Sequence, residues 1–390
     1  MDFHNPQRLR EHVRAIMAFY HPRAIDSRGG FYHYFLDDGQ VYDSEHRHLV
    51  SSTRYVFTYA NFARHFNEPE YLRWAEHGLD FIEQRHFQTQ YQGYAWTLQG
   101  NAVEDDTNHC YGLAFVMLAY ATALKAGIER AREGLYRVHE LQSRRFWQAQ
   151  HGLYADEADR HWQLGQYRGQ NANMHSCEAL IAAYEATGDR QFIERALQVA
   201  DNICRRQAGR CDHGLIWEHY DLNWQPDWQY NLDDPKHLFR PWGYQPGHQT
   251  EWAKLLLLLE PHVEADWLLP TAEHLFLRAV EPAWDKVNGG LAYGLDRQLQ
   301  ICDGDKYHWV QAETLAAAAL LGSRTGDLRY WRWYERIWDY CWQHFIDHRY
   351  GAWYRILTPD NQPYSKQKSP AGKVDYHTMG ACYDMLRVLE

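Results

Sequence analysis

The chain has 390 residues and a formal charge of −11, so it lacks the basic footprint that nucleic-acid binding needs. Hydrophobic residues make up 45%, enough for a large core, yet no apolar stretch approaches the roughly 20 residues of a membrane span. Seven scattered cysteines without a CxxC, and a charged, amphipathic start ("MDFHNPQRLREHVRAIMAFY") in place of a signal peptide, predict a cytoplasmic globular protein.

Taken in chain order, two kinds of helical run alternate. Amphipathic runs such as "PEYLRWAEHGLDFIEQRHF" and "DRQFIERALQVADNICRRQ" carry one apolar face. The others are apolar nearly all round: "RYVFTYANFARHF", "CYGLAFVMLAYATAL", "CEALIAAYEA", "WAKLLLLLE", "AETLAAAALLG" and "MGACYDMLRVL". Short breakers ("NEPEY", "AGIER", "TGDRQ", "TGDLR") join the second kind to the next run of the first. Ahead of each apolar run lies a glycine followed by an apolar or aromatic group, at Gly30, Gly93, Gly152, Gly214, Gly290 and Gly351. Their spacings of 63, 59, 62, 76 and 61 residues mark six copies of one unit. Six helix pairs, polar-faced outside and apolar inside, predict an all-α (α/α)6 barrel, a single domain over residues 1–390. An open solenoid fits less well, because it leaves one side of the apolar helices wet.

Polar groups recur where the apolar helices begin. The first start has Ser51 and Arg54, the second Asn108 and Tyr111, and the third Asn171, His175 and Glu178. The fourth has His248 and Glu251, the fifth Trp309 and Glu313, and the sixth His377. Residues three apart share a helix face, so these groups are expected to point at one axial cavity. Six helix N-termini there favour developing oxyanions. Buried histidines suit proton transfer near neutral pH. Glu251, one turn from His248, is expected to fix its tautomer.

Rival chemistries have weaker signals. HxxE occurs at "HSCE" and "HQTE", and "EHRH" supplies His46 and His48, but no HExxH or hard-cation cluster accompanies them. The expectation is therefore no metal and no cofactor. No GxSxG elbow marks a serine nucleophile. Glu104, Asp105 and Asp106 could supply the paired carboxylates of a glycoside hydrolase, but acids before a helix more often cap it.

The runs "GQNANMHSCEAL", "FRPWGYQPGHQTEWAKLL", "WVQAETLAAAALL" and "SPAGKVDYHTMGACY" resemble the N-acylglucosamine 2-epimerase superfamily, most of all its aldose–ketose isomerase branch. The resemblance spans essentially the whole chain. It implies an (α/α)6 barrel and a cofactor-free isomerase that interconverts D-mannose and D-fructose, with D-lyxose and D-xylulose as a further pair. The implied partner is a monosaccharide, not nucleic acid or a membrane. The implied acid/base residues are His248 and His377. Arg54, Tyr111, Asn171, His175, Arg240, Glu251, Trp309 and Glu313 would hold or orient sugar hydroxyls, and Lys373 is a further pocket candidate. A sugar 2-epimerase, a sulfoquinovose isomerase, an (α/α)6 glycoside hydrolase and a sugar-binding protein stay open as alternatives. Residue types alone separate neither isomerase from epimerase nor one oligomeric state from another.

Overall fold

The computed structural model describes residues 2–237 and 239–390. Twelve α-helices run through the described residues. They are α1 (Pro6–Tyr20), α2 (Leu49–Phe66), α3 (Leu72–Phe81), α4 (Cys110–Lys125), α5 (Ala131–Phe146), α6 (Gln170–Thr187), α7 (Arg190–Asp201), α8 (Pro246–Leu259), α9 (Leu268–Ala283), α10 (His308–Thr325), α11 (Leu328–His344) and α12 (Tyr376–Leu389). The even-numbered helices each touch the next, and α12 returns to α2, closing an inner ring. Outside it α3, α5, α7, α9 and α11 pack on the inner helix that precedes each, and α1 packs on α12. The expected (α/α)6 barrel is the fold, and its first and last helices pair to close it.

Sequence explains the division of labour. In α7 the buried residues Phe192, Ile193, Ala196, Val199 and Ala200 form a single stripe. In α10 nearly every position from Val310 to Gly322 is buried, as a helix covered on all sides requires. The breakers work as caps: Asp189 and Asp327 accept the backbone N–H of Gln191 and Arg329, opening α7 and α11. The amphipathic runs around α3 and α7 end in wide turns, Ile82–His86 and Asn202–Gln207, so each helix stops short of its run. No helix among the described residues is long and apolar enough to cross a membrane.

The six glycines start what the helical reading did not foresee, a set of antiparallel strands two to four residues long at the N-terminal end of the inner ring. Five of them sit at positive φ, from 63° to 89°, where a side chain would strain the turn. In the second copy Gln92 takes that role, at φ 54°. In four of the six copies the chain after the turn is tied down by an amide at or just before the start of the next inner helix. Asn108 Oδ1 accepts from Tyr94 N (3.1 Å), Asn173 Oδ1 from Tyr154 N (2.8 Å), Gln249 Oε1 from Ile216 N (2.9 Å) and Gln311 Oε1 from Leu291 N (3.0 Å). Asn108 is thus a structural tie and not a cavity group, contrary to expectation.

Candidate active site

A cavity of about 450 Å³ opens where the inner helices begin. Arg54, Tyr111, Asn171, His175, Arg240, His248, Glu251, Trp309, Lys373 and His377 all line it, so all six inner helices and two loops bring the sequence candidates together. Glu313 stands one layer behind them. Glu104, Asp105 and Asp106 lie outside the lining. Glu104 binds His46, Asp105 accepts from Thr107 N, and Asp106 pairs with Arg160, so the glycosidase candidates are surface ties.

Three rings stand in a row along one wall. Trp309 lies 4.9 Å from His248 on one side and 5.7 Å from His377 on the other, centroid to centroid. Gly247 permits this closeness, since a Cβ there would come within 2.5 Å of the Trp309 ring. Each histidine is held from behind by a buried carboxylate. His377 Nδ1 donates to Glu313 Oε1 at 2.6 Å, and Arg54 Nη2 points at its Nε2 from 3.4 Å. The partners assign the tautomer, with the proton on Nδ1 and the lone pair of Nε2 at the cavity. Burial holds the His377 imidazole far below its ordinary range, and the charges of Arg54, His175 and Lys254 add to this, so it is a neutral base.

His248 is oriented differently from expectation. Its Nδ1 lies 3.0 Å from both oxygens of Glu218, not on Glu251. Glu218 is itself fixed by Gln170, whose Nε2 donates to it at 3.0 Å while Gln170 Oε1 accepts from Trp252 Nε1 at 2.7 Å. Glu251, one turn further into α8, points elsewhere: one of its oxygens approaches His175 Nδ1 at 3.9 Å. Both Glu251 oxygens are buried without a hydrogen-bond partner among the described residues. Burial and the nearby Glu313 push its carboxyl well above the usual range, so it is a neutral acid.

The remaining candidates form the walls. His175 Nδ1 bonds Glu178 Oε2 at 2.9 Å, and burial lowers its basicity. Arg54 lies between the rings of Phe115 and Tyr376, 4.5 and 4.6 Å from their centroids. It donates to the Gly372 carbonyl and to Tyr111 OH. Arg240 is held by Glu157 at 2.6 Å and by the Tyr167 ring at 3.8 Å. Lys373 is buried and ion-paired with Asp375, and burial draws its amine down to about 8. Asn171 Oδ1 is buried and unpaired among the described residues.

Two trios have donor atoms close enough to surround an ion, His175–Glu178–Glu251 and Glu251–Glu313–His377. Spacing in sequence could show only the His175–Glu178 pair, because Glu251 joins it from another helix and the second trio draws on three helices. Apart from Glu251, their groups already have partners: Glu178 accepts from Tyr376 OH, and Glu313 meets the Lys254 ammonium at 2.6 Å. A cation in the second trio would sit against that ammonium.

Sequence reasoning also missed Glu218, Gln170, Asp156 and Lys254. The first and third had a signal: Asp156, Glu218 and Arg355 each stand four residues after a repeat glycine, and all three line the cavity. The fourth had one too, since a lone cation on a helix buried all round must be paired.

The family description "N-acylglucosamine 2-epimerase (GlcNAc 2-epimerase)" matches residues 30–381. A D-mannose isomerase of Marinomonas mediterranea is 52% identical over 382 residues, covering 98% of this chain and 97% of the relative. A solved structure of D-mannose isomerase superposes with TM-score 0.98 at 50% identity, over 99% of both chains. A cellobiose 2-epimerase from Bacillus thermoamylovorans, 20% identical over 98% of both chains with TM-score 0.85, shares the fold.

Proposed function

The chain belongs to the N-acylglucosamine 2-epimerase family, and we propose that it is a cofactor-independent isomerase interconverting D-mannose and D-fructose. One observation carries the reading: two imidazoles, each held at Nδ1 by a buried carboxylate, flank Trp309 on the wall of one cavity. Neither glycosidase nor simple binding needs such a pair. The nearness in sequence to D-mannose isomerases favours aldose–ketose chemistry over 2-epimerisation.

In the open-chain aldose the C2 hydrogen is acidified by the C1 carbonyl. His377 Nε2 takes that proton, its neutral state at pH 7 following from burial. The cis-enediolate then carries negative charge on oxygen. Arg54, 3.4 Å from the same Nε2, is placed to stabilise it, together with the N-terminal turns of the inner helices. Returning the proton from His377 to C1 gives the ketose. His248, held by Glu218, serves ring opening and the proton movement between O1 and O2. The unpaired Glu251 carboxyl and Asn171 Oδ1 are the sites for sugar hydroxyls. Trp309 lies between the two histidines on the cavity wall. Arg240, Tyr111, His175 and Lys373 complete the walls around the substrate.

The test is the label left by turnover in D₂O. One base serving C2 and C1 on a single face of a planar enediolate gives fructose with deuterium at C1, diluted by direct transfer, and little glucose. Glucose as the main early product, with deuterium at C2, would make the protein a 2-epimerase.

A further inference from the structure

Behind the three-ring wall, the barrel axis is crossed by a layer of ionisable groups. Glu313 bridges two of them: Oε1 accepts from His377 Nδ1 at 2.6 Å, and Oε2 meets Lys254 Nζ at 2.6 Å. Lys254 is 4% exposed and reaches Asp384 at 3.8 Å. On the far side of the layer lies a second cavity, of about 460 Å³, lined by Lys254, Glu313, Glu178, Tyr376 and Asp384 among others. The Lys254–Glu313 pair is thus the partition between the sugar cavity and the opposite end of the barrel.

The charges facing that pair are unbalanced. From α6 come His175 and Glu178, from α8 Glu251, from α12 Asp384, His377 and Tyr376, from α4 Tyr111, and from α2 Arg54. Counting Glu313 itself, four carboxyls share two cations at the pair. Of the other cations that line the second cavity, Lys125 and Arg387 are paired with Glu185, Arg387 also draws on Asp384, and Arg64 meets His65. Arg54 is already committed to the Gly372 carbonyl, Tyr111 and His377 Nε2. Only Lys254 is left to compensate Glu313. A buried carboxyl among other carboxyls, stripped of its counter-ion, takes up a proton. A neutral Glu313 could donate to Nδ1 as readily as accept from it, and the imidazole proton could then move to Nε2, the atom that must stay free to act as base.

We propose that Lys254 is a positioning residue for the base. By its ion pair it keeps Glu313 a carboxylate, which keeps the His377 proton on Nδ1 and the Nε2 lone pair aimed into the sugar cavity. The idea rests on the reading of His377 as the C2 base, but its test separates the two.

Histidine-labelled protein, with His377 assigned by comparison with His377→Gln, is examined by ¹⁵N NMR and by initial rates from about pH 6 to about 9, the range in which imidazole tautomers report on their partners. Wild type should show the Nδ1–H tautomer throughout. Lys254→Met should mix in the Nε2–H form and lose about 10- to 100-fold in kcat, the scale seen when a group that orients a functional histidine is removed. KM should change little, and kcat should recover as rising pH ionises Glu313. Adding Glu313→Gln to Lys254→Met should cost no more than Glu313→Gln alone. Lys254→Arg, which keeps the charge, should retain the wild-type tautomer and pH profile and serves if the Met variant does not fold. An Nε2–H tautomer in wild type overturns the proposal. So does an unchanged tautomer in Lys254→Met, a loss uniform across pH, or a mixed tautomer in Lys254→Arg. If His377→Ala keeps its turnover, the base assignment fails while the tautomer still decides what Lys254 does.

Discussion

Glu218→Gln is the sharpest probe of the second histidine, because it keeps the shape of the side chain and removes only its charge. In the folded protein both Glu218 oxygens lie 3.0 Å from His248 Nδ1, and the carboxylate is 4% exposed, so water does not replace it. A hydrogen bond to a charged group contributes about 1.5–3 kcal/mol. If that contribution is felt when His248 carries the proton in transit, the loss corresponds to about 10- to 150-fold in rate, at 1.36 kcal/mol per tenfold. The amide also permits the wrong tautomer, which adds to the loss. The assay is the initial rate of fructose formation from mannose, with circular dichroism to verify the fold. Ring opening precedes C2 deprotonation, so the variant should gain activity on substrate presented largely open-chain. A variant folded like wild type with kcat/KM within about twofold of it would remove the Glu218–His248 pair from the mechanism, since twofold is far below what one charged hydrogen bond is worth.

His377→Ala should keep its fold and lose about 10²- to 10⁴-fold in turnover, the range of general acid–base catalysis, together with C2 proton exchange; near-normal exchange by NMR would dismiss His377 as the base. Stability should fall with acid for a separate reason. Burial lowers the imidazoles of His12 and His86 to about 4 and of His48 to about 3 from an ordinary 6.5, so the unfolded chain binds more protons in this window. Their contribution is fully present above about pH 6.5 and is lost as pH falls towards 4 and 3; a melting temperature flat from pH 7 to about pH 4 would contradict it.

Much of this architecture is legible in the sequence because burial on all faces leaves a pattern that only helices of an inner ring show. Leu255 to Leu259 need cover on every side, and α8 receives it from α9 outside and α10 beside it. The histidines were legible because His248 and His377 fall at equivalent places in equivalent copies. Their partners were harder to see. Glu218 meets His248 across 30 residues of chain, from a strand end that no helical period predicts, while Glu251, three residues away, offered a spacing that fits a helix face. On α8 that spacing turns Glu251 towards His175 instead. Asn108 misled in the opposite direction: a polar residue at a helix start looked like a cavity group, and its amide is spent on Tyr94 N. Local pattern places each side chain on its element. Which element comes to meet it is set by ring closure, which sequence periodicity does not encode.

Glu251 shows how the fold and the chemistry are joined. A buried carboxyl with neither oxygen hydrogen-bonded destabilises a protein by about 1–3 kcal/mol per unmet group, and keeping it neutral lowers that cost without removing it. The apolar ring of α4, α8 and α10 behind the site offsets the penalty, so the barrel folds around a group it does not satisfy. What the chain leaves unmet, a hydroxyl-rich ligand can meet. A protonated carboxyl both donates and accepts, which suits a sugar hydroxyl that does the same. In the proposed reaction that penalty would be returned as binding free energy when substrate enters. It also gives discrimination, because an analogue lacking that hydroxyl restores the unmet pair. Were Glu251 bonded to His248, as its sequence position suggested, the cavity would have one less unsatisfied group and His248 a single controller. With Glu218 at His248 Nδ1, both Glu251 oxygens stay unbonded, as the proposed contact with a sugar hydroxyl requires.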